Sequence, residues 1–145
     1  MLEYYSKNNT LTLGAVNAES IVPFTIQRIL KGCSENMSGN SAQLNKCGVY
    51  NVDCDVCFSA GAAADLTFML YVDGVAQPQT ERTISVGTAD DFYSAHISTY
   101  VSKGDNNCRC NPCTSPTNVY LTVSSSVADT EVTFKTTDIQ IYKAV

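Results

Sequence analysis

Alternation of apolar and polar residues with a period of two is the feature that most limits what this sequence can fold into. The clearest example is GVYNVDCDVCF, residues 48–58. One face of this segment carries Tyr50, Val52, Cys54, Val56 and Phe58, and the other carries Asn51, Asp53, Asp55 and Cys57. Side chains of a β-strand alternate between its two faces, so the segment predicts a strand with one face in a hydrophobic core.

The same alternation recurs along the chain, and it predicts an all-β domain. Asp73 and Gly74 suit the positive φ angles of a tight hairpin turn. The predicted strands are residues 10–13, 24–30, 41–45, 48–58, 66–72, 81–86, 92–101, 118–124 and 131–142. This pattern predicts a single jelly-roll β-sandwich of about 8–10 antiparallel strands. Residues 1–20 would supply the N-terminal segment and first strand, and residues 21–145 the core of the sandwich.

Charge and hydropathy exclude two classes of partner. The chain has 9 Lys and Arg against 14 Asp and Glu, with a net charge of −5, and its basic residues are scattered. Nucleic-acid binding needs a concentrated basic surface, so we expect none. The N-terminal MLEYYSKNNTLTLG lacks the pattern of a signal peptide, and no segment approaches the roughly 20 apolar residues of a membrane helix. We therefore expect synthesis in the cytoplasm without a signal peptide or membrane span.

Large side chains on the second face of several predicted strands indicate a subunit interface. Met69, Tyr71, Tyr93 and Tyr120 each share a strand with a complete set of core residues. A monomer rarely leaves so many large side chains in water. We therefore predict that these four residues lie where one copy of the chain packs against another.

Three motifs resemble the tumour necrosis factor and complement globular-head superfamily of jelly rolls, in particular its bacterial and phage members. LNKCGVYNVDCDVCF is similar to a signature in which Gly, a hydrophobic residue and Tyr precede an alternating strand, although Cys47 stands where Pro or a similar residue is expected. LTFMLYVDGVAQP looks like the family's strand with an aromatic residue before Asp-Gly, and TTDIQIYKA resembles its closing strand. The resemblance covers residues 22–144 and implies a homotrimer packed around a three-fold axis.

Three of the seven cysteines fall in CRCNPC, residues 108–113, between two predicted strands. The spacing of Cys110 and Cys113 can close on one zinc ion, and a structural zinc site could add a cysteine from the strand 48–58. The candidate ligands are Cys57, Cys108, Cys110 and Cys113. Disulfide bonds, including one between Cys33 and Cys47, and free thiols are the alternatives, and all three states stay open.

Other candidate chemistry is weaker. His96 is the only histidine, and a triad with a cysteine and Asp90 or Asp91 can be drawn, but nothing in the sequence resembles a nucleophile elbow. Asp90 and Asp91 could contribute oxygen ligands to a calcium site, although adjacent carboxylates in a turn are more often solvated. No phosphate-binding loop or metalloprotease motif occurs in the sequence, so we expect no enzyme and no required cofactor.

These observations favour a structural or adhesion protein. The resemblance implies a trimeric jelly-roll head on a phage virion or similar particle, acting as capsid decoration, head-fibre knob or host-attachment module. Capsid or tail proteins, or a glycan on the host cell surface, would be its partners beside itself. The alternative is a stand-alone, lectin-like module that binds glycans.

Overall fold

Two antiparallel sheets enclose one hydrophobic core in the computed structural model, which describes residues 1–104 and 116–144. Within these ranges the chain forms twelve strands and one 3-10 turn at Pro78–Thr80. The strands are β1 (Leu2–Thr12), β2 (Ser20–Ile21), β3 (Ile26–Leu30), β4 (Glu35–Ser38), β5 (Ser41–Leu44), β6 (Gly48–Ala60), β7 (Ala64–Val72), β8 (Val75–Ala76), β9 (Arg82–Val86), β10 (Tyr93–Lys103), β11 (Thr117–Ser125) and β12 (Glu131–Lys143). The predicted all-β jelly roll is confirmed.

Strand order separates the elements into two layers. Sheet one has the order β10-β6-β12-β1-β3. Sheet two has the order β4-β5-β11-β7-β8, with β2 added beside β11 and β9 beside β7. In sheet one every pair of neighbouring strands is non-consecutive in the sequence, as in Greek-key connections, and β6 lies between β10 and β12.

The core lies between the inner faces of the two sheets. Alternate residues of β6 that were assigned to the core are all buried there: Tyr50, Val52, Cys54, Val56 and Phe58. The ring of Phe58 lies 5.0 Å from that of Phe68 on sheet two, and Phe68 lies 6.4 Å from Phe134 in an edge-on arrangement. Such aromatic contacts between sheets contribute beyond the area they bury, so this cluster joins the two layers.

The predicted hairpin turn is confirmed, with φ of 50° at Asp73 and 79° at Gly74. The chain does not return directly, however, because β8 is followed by the 3-10 turn before β9 pairs with β7. Buried Thr80 links the 3-10 turn to β7. Its hydroxyl accepts from the backbone N–H of Leu70 at 2.9 Å and donates to the carbonyl of Gln77 at 2.6 Å.

The first strand begins earlier than predicted. β1 starts at Leu2 and pairs with both β12 and β3. Its alternation is interrupted at Asn8, which has a φ of 56° and is skipped in the register between Lys7 and Asn9. An irregularity of this kind shifts the phase of the side chains, so a period-two pattern does not extend across it.

Candidate functional site

The outer face of sheet one carries rows of side chains that run across the strands, because directly opposed residues of an antiparallel pair share a face. We call the following set the sheet-one face. Its first row is Tyr100, Asn51 and Tyr142; its second is Ser98, Asp53, Gln140 and Glu3; its third is His96, Asp55, Asp138 and Tyr5. The same alternation that fills the core from β6, β10 and β12 therefore also determines this surface.

The first row combines exposed aromatic rings with a buried amide. Tyr100 is 65% exposed and Tyr142 is 43% exposed, although both belong to well-formed strands. Asn51 lies between them and is only 8% exposed, and its Oδ1 has no hydrogen-bond partner among the described residues. A buried acceptor without a partner costs about 1–3 kcal/mol, so a donor from water or from another molecule would stabilise Asn51 here.

The third row concentrates negative charge. His96 Nδ1 lies 2.7 Å from Asp55 Oδ1, and both side chains are exposed, so the pair adds little to stability. Asp138 is directly opposite Asp55 and accepts a hydrogen bond of 3.1 Å from Gln140 at Oδ2. Its other oxygen, Oδ1, is buried and has no partner within residues 1–104 and 116–144.

Partial burial raises the pKa of the Asp138 carboxyl above its usual value. The carboxylates of Glu3 and Asp55 raise this pKa further, while the hydrogen bond from Gln140 opposes the shift. Asp138 therefore holds a proton more readily than an exposed aspartate does. The sheet-one face has a titratable carboxyl at its centre.

An open pocket of about 600 Å³ adjoins Asp138 at the β12, β1 and β3 side of the sheet-one face. Glu3 is 7% exposed and forms an ion pair with Arg28 in this pocket. Tyr5 and Gln27 also contribute to its lining. At this edge of the sheet-one face the carboxylate of Glu3 is therefore paired with the guanidinium of Arg28.

The four residues predicted at a subunit interface occupy two places. Met69, Tyr71 and Tyr120 lie on the outer face of sheet two, where Tyr71 and Tyr120 are directly opposed and stack at 5.5 Å with 13° between their planes. Tyr71 donates a hydrogen bond to Glu19, which raises the pKa of Tyr71 to about 12. Tyr93 instead packs on Phe58 beside the core, with ring centroids 6.2 Å apart.

Sequence reasoning missed Tyr100 and Tyr142. The signal was present, since Tyr100 alternates with buried Val101 and Tyr142 with buried Ile141. Their exposure could not be read from the pattern alone, because a neighbouring strand or loop can cover an outward side chain. In the structure no described element packs over β10 and β12 at these two positions, so both rings are exposed.

The cysteines divide between the described and undescribed parts of the chain. Cys108, Cys110 and Cys113 lie outside the described residues. Cys57 is half-buried on the outer face of β6, whereas Cys54 is in the core, where burial raises the pKa of its thiol. Within residues 1–104 and 116–144 no group of three or more His, Cys, Asp or Glu side chains is arranged to hold a metal ion.

Of the open states of the cysteines, a disulfide between Cys33 and Cys47 is contradicted by the structure. Cys33 is a free, exposed thiol, while Cys47 is disulfide-bonded. The backbone N–H of Asn45 donates to the carbonyl of Ser34 at 2.7 Å, which continues the β4–β5 pairing outward from its end. Cys33 therefore lies opposite Lys46, and a hydrogen bond between the two side chains raises the pKa of Lys46. Cys47 is one residue out of register with Cys33.

His96 and the acidic turn before β10 do not form the triad that was considered. The hydrogen bond of His96 goes to Asp55 on the neighbouring strand. Asp90 has a φ of 67° and its backbone N–H donates to the carbonyl of Ala60 at 2.8 Å, as part of the turn.

Among the described residues there is also no helix with the length and hydrophobicity needed to cross a membrane.

Comparison with solved structures identifies this arrangement. Murine APRIL at pH 8.5 superposes with a TM-score of 0.61 at 9% identity, over 96% of this chain and 98% of the APRIL chain. Eiger TNF from S. frugiperda gives a TM-score of 0.62 at 10% identity, over 99% of this chain and 92% of the other. The chain has a tumour necrosis factor-like jelly-roll fold.

The same jelly roll also occurs within a larger viral chain. In the structure of infectious bursal disease virus Gx strain, a chain matches with a TM-score of 0.54 at 10% identity, over 98% of this chain and 32% of the viral one. No protein-family model matches the sequence, and no curated protein matches it either. At these identities the similarity shows the fold, and the bacterial or phage branch stays a prediction.

Proposed function

We propose that this chain is a non-enzymatic, homotrimeric jelly-roll head that serves as a structural or adhesion module on a phage virion or similar particle. Capsid decoration, head-fibre knob and host attachment are the roles that such a head would fill. The observation that carries the proposal is the sheet-one face, where Tyr100 and Tyr142 are exposed on either side of a buried amide. The similarity to a chain of a virus structure supports the particle location.

Self-association through the sheet-one face follows from its composition. Aromatic residues are enriched at the centres of protein interfaces, where tyrosine buries a large ring and keeps its hydroxyl hydrogen-bonded. Packing a second copy here would cover Tyr100 and Tyr142 and would offer donors to Asn51 Oδ1. The sheet-two tyrosines are less available, because Tyr71 and Tyr120 stack on each other and Tyr71 is bonded to Glu19.

Two measurements test this proposal. Sedimentation velocity or mass photometry of the purified chain should show a species at three times the chain mass of 15.6 kDa. A monomer at every concentration tested would refute the trimer. Adjacency of the gene to capsid or tail genes would support the particle location, whereas a place within a metabolic operon would contradict it.

Glycan binding is the second candidate, since exposed tyrosine rings beside carboxylates are also what sugar recognition uses. It predicts that Tyr100 and Tyr142 stay accessible in the assembled protein. A glycan array distinguishes the two: binding that is lost in Tyr100→Ser while the oligomeric state is unchanged favours the lectin-like module. No binding to any glycan, together with a trimer, favours the structural head.

A further inference from the structure

Asp138 lies at the centre of the sheet-one face, and charged or titratable groups approach it from every neighbouring strand. The guanidinium of Arg28 is already paired with Glu3, and the imidazole of His96 is already bonded to Asp55. The charged or titratable groups on the described strands around Asp138, with the amide of Gln140, share the outer face of sheet one: Asp53, Asp55 and Cys57 on β6, His96 on β10, Gln140 on β12, Glu3, Tyr5 and Lys7 on β1, and Arg28 on β3.

We propose that acidification strengthens the self-association of this chain through the sheet-one face, and that Asp138 is the group that takes up the proton. The inference rests on the proposed function, because it assigns a control to the interface that the trimer would use. It differs from that function in requiring a particular dependence on pH.

The physical reason is the location of the carboxyl. A second copy packed over the sheet-one face removes the water that still reaches Asp138, and burial disfavours an ionised carboxylate that gains no cation. In the isolated chain Oδ1 is already buried without a partner, and Asp55 lies directly opposite. A protonated carboxyl would instead bring a donor to a surface crowded with acceptors.

The direction of the pH dependence follows from the linkage between proton binding and association. Burial and the neighbouring carboxylates already raise the pKa of Asp138 in one copy, and further burial on assembly raises it again. The assembled form then binds more protons than the free form, so association is favoured as pH falls through this range and opposed as pH rises above it. Each unit by which assembly raises the pKa changes the association constant about tenfold per copy.

The test measures oligomeric state against pH on the full chain at constant ionic strength. In sedimentation velocity, the wild-type concentration at half-assembly should be at least about tenfold higher at about pH 8 than at about pH 5. Asp138→Asn removes the charge with little change of shape, so its half-assembly concentration at about pH 8 should match the wild type at about pH 5. Asp91→Asn, at an exposed turn outside the sheet-one face, is the matched control and should behave as the wild type.

Two further variants separate Asp138 from its neighbours. His96→Gln removes the imidazole that pairs with Asp55 in the third row, and it should leave most of the pH dependence in place. Asp55→Asn removes the opposed carboxylate, so it should shift the transition to lower pH without abolishing it. Circular dichroism of each variant establishes that it is folded before its assembly is compared.

The outcomes distinguish this inference from the proposed function. A trimer of unchanged affinity across the pH range overturns the control by pH and leaves the trimeric head standing. A pH dependence that persists fully in Asp138→Asn, or that runs in the opposite direction, overturns the role of Asp138. A monomer at every pH and concentration overturns both.

Discussion

Replacing the exposed tyrosines of the sheet-one face should weaken assembly by an amount that their exposure predicts. A tyrosine buries on the order of 200 Å² when enclosed, so covering the 65% of Tyr100 and 43% of Tyr142 that are exposed removes roughly 130 and 90 Å² from water. At about 25 cal/mol per Å² these areas correspond to about 3 and 2 kcal/mol per copy. Buried area sets an upper limit on the affinity lost, and about 1.4 kcal/mol is tenfold in affinity. Tyr100→Ser should therefore weaken each contact by at most about a hundredfold and Tyr142→Ser by at most about thirtyfold.

The assay is a concentration series in sedimentation velocity, with thermal unfolding as a check that each variant is folded. Tyr71→Ser on the outer face of sheet two is the matched control, because it removes the same side chain from the other sheet. The reasoning is refuted if Tyr100→Ser and Tyr142→Ser assemble like the wild type. A loss of assembly in Tyr71→Ser alone would move the interface to sheet two, where Met69, Tyr71 and Tyr120 lie.

Three further predictions concern the folded chain itself. Phe58→Ala should lower the free energy of unfolding by about 3–5 kcal/mol in a denaturant titration, because its ring links the two sheets; a loss below about 1 kcal/mol would mean that the core closes over the gap. Thr80→Val should lower the free energy of unfolding by about 1–3 kcal/mol, because it removes the hydroxyl that accepts from the N–H of Leu70 and donates to the carbonyl of Gln77. An unchanged unfolding midpoint would contradict this. In a timed alkylation of the native protein read out by peptide mass spectrometry, exposed Cys33 should react well before Cys54, whose thiol is buried and has a raised pKa; equal rates would argue against the buried assignment.

The local alternation of apolar and polar residues was sufficient to predict most of the strands and which of their faces enters the core. The alternation around Cys54 and Val56 identified which side of β6 enters the core, and Asp73-Gly74 identified a turn that the structure confirms. These succeed because strand alternation and turn conformation depend on residues adjacent in the sequence. The start of β1 was missed for the same reason, since the irregularity at Asn8 breaks the local phase.

How the strands pair with one another could not be read from that pattern. The possible disulfide between Cys33 and Cys47 fails because the register of β4 and β5 places Lys46 opposite Cys33, and periodicity along one strand does not determine that register. The interface candidates were chosen from strands that carry large outward residues, and this criterion does not tell which sheet a strand joins. Tyr93 is in phase with buried Ala95 and Ile97, so its ring packs beside the core, and the interface role of the four residues stays a prediction.

The sequence by itself determined that this chain forms alternating strands, which residues of them are apolar, and where tight turns are allowed, because these properties are set by near neighbours. The tertiary structure alone decided that β6 lies between β10 and β12, so that His96, Asp55 and Asp138 form one row and Tyr100 and Tyr142 flank Asn51. The physical reason is that sheet order is selected by the packing of the whole core, and a surface made of several strands exists only after that selection.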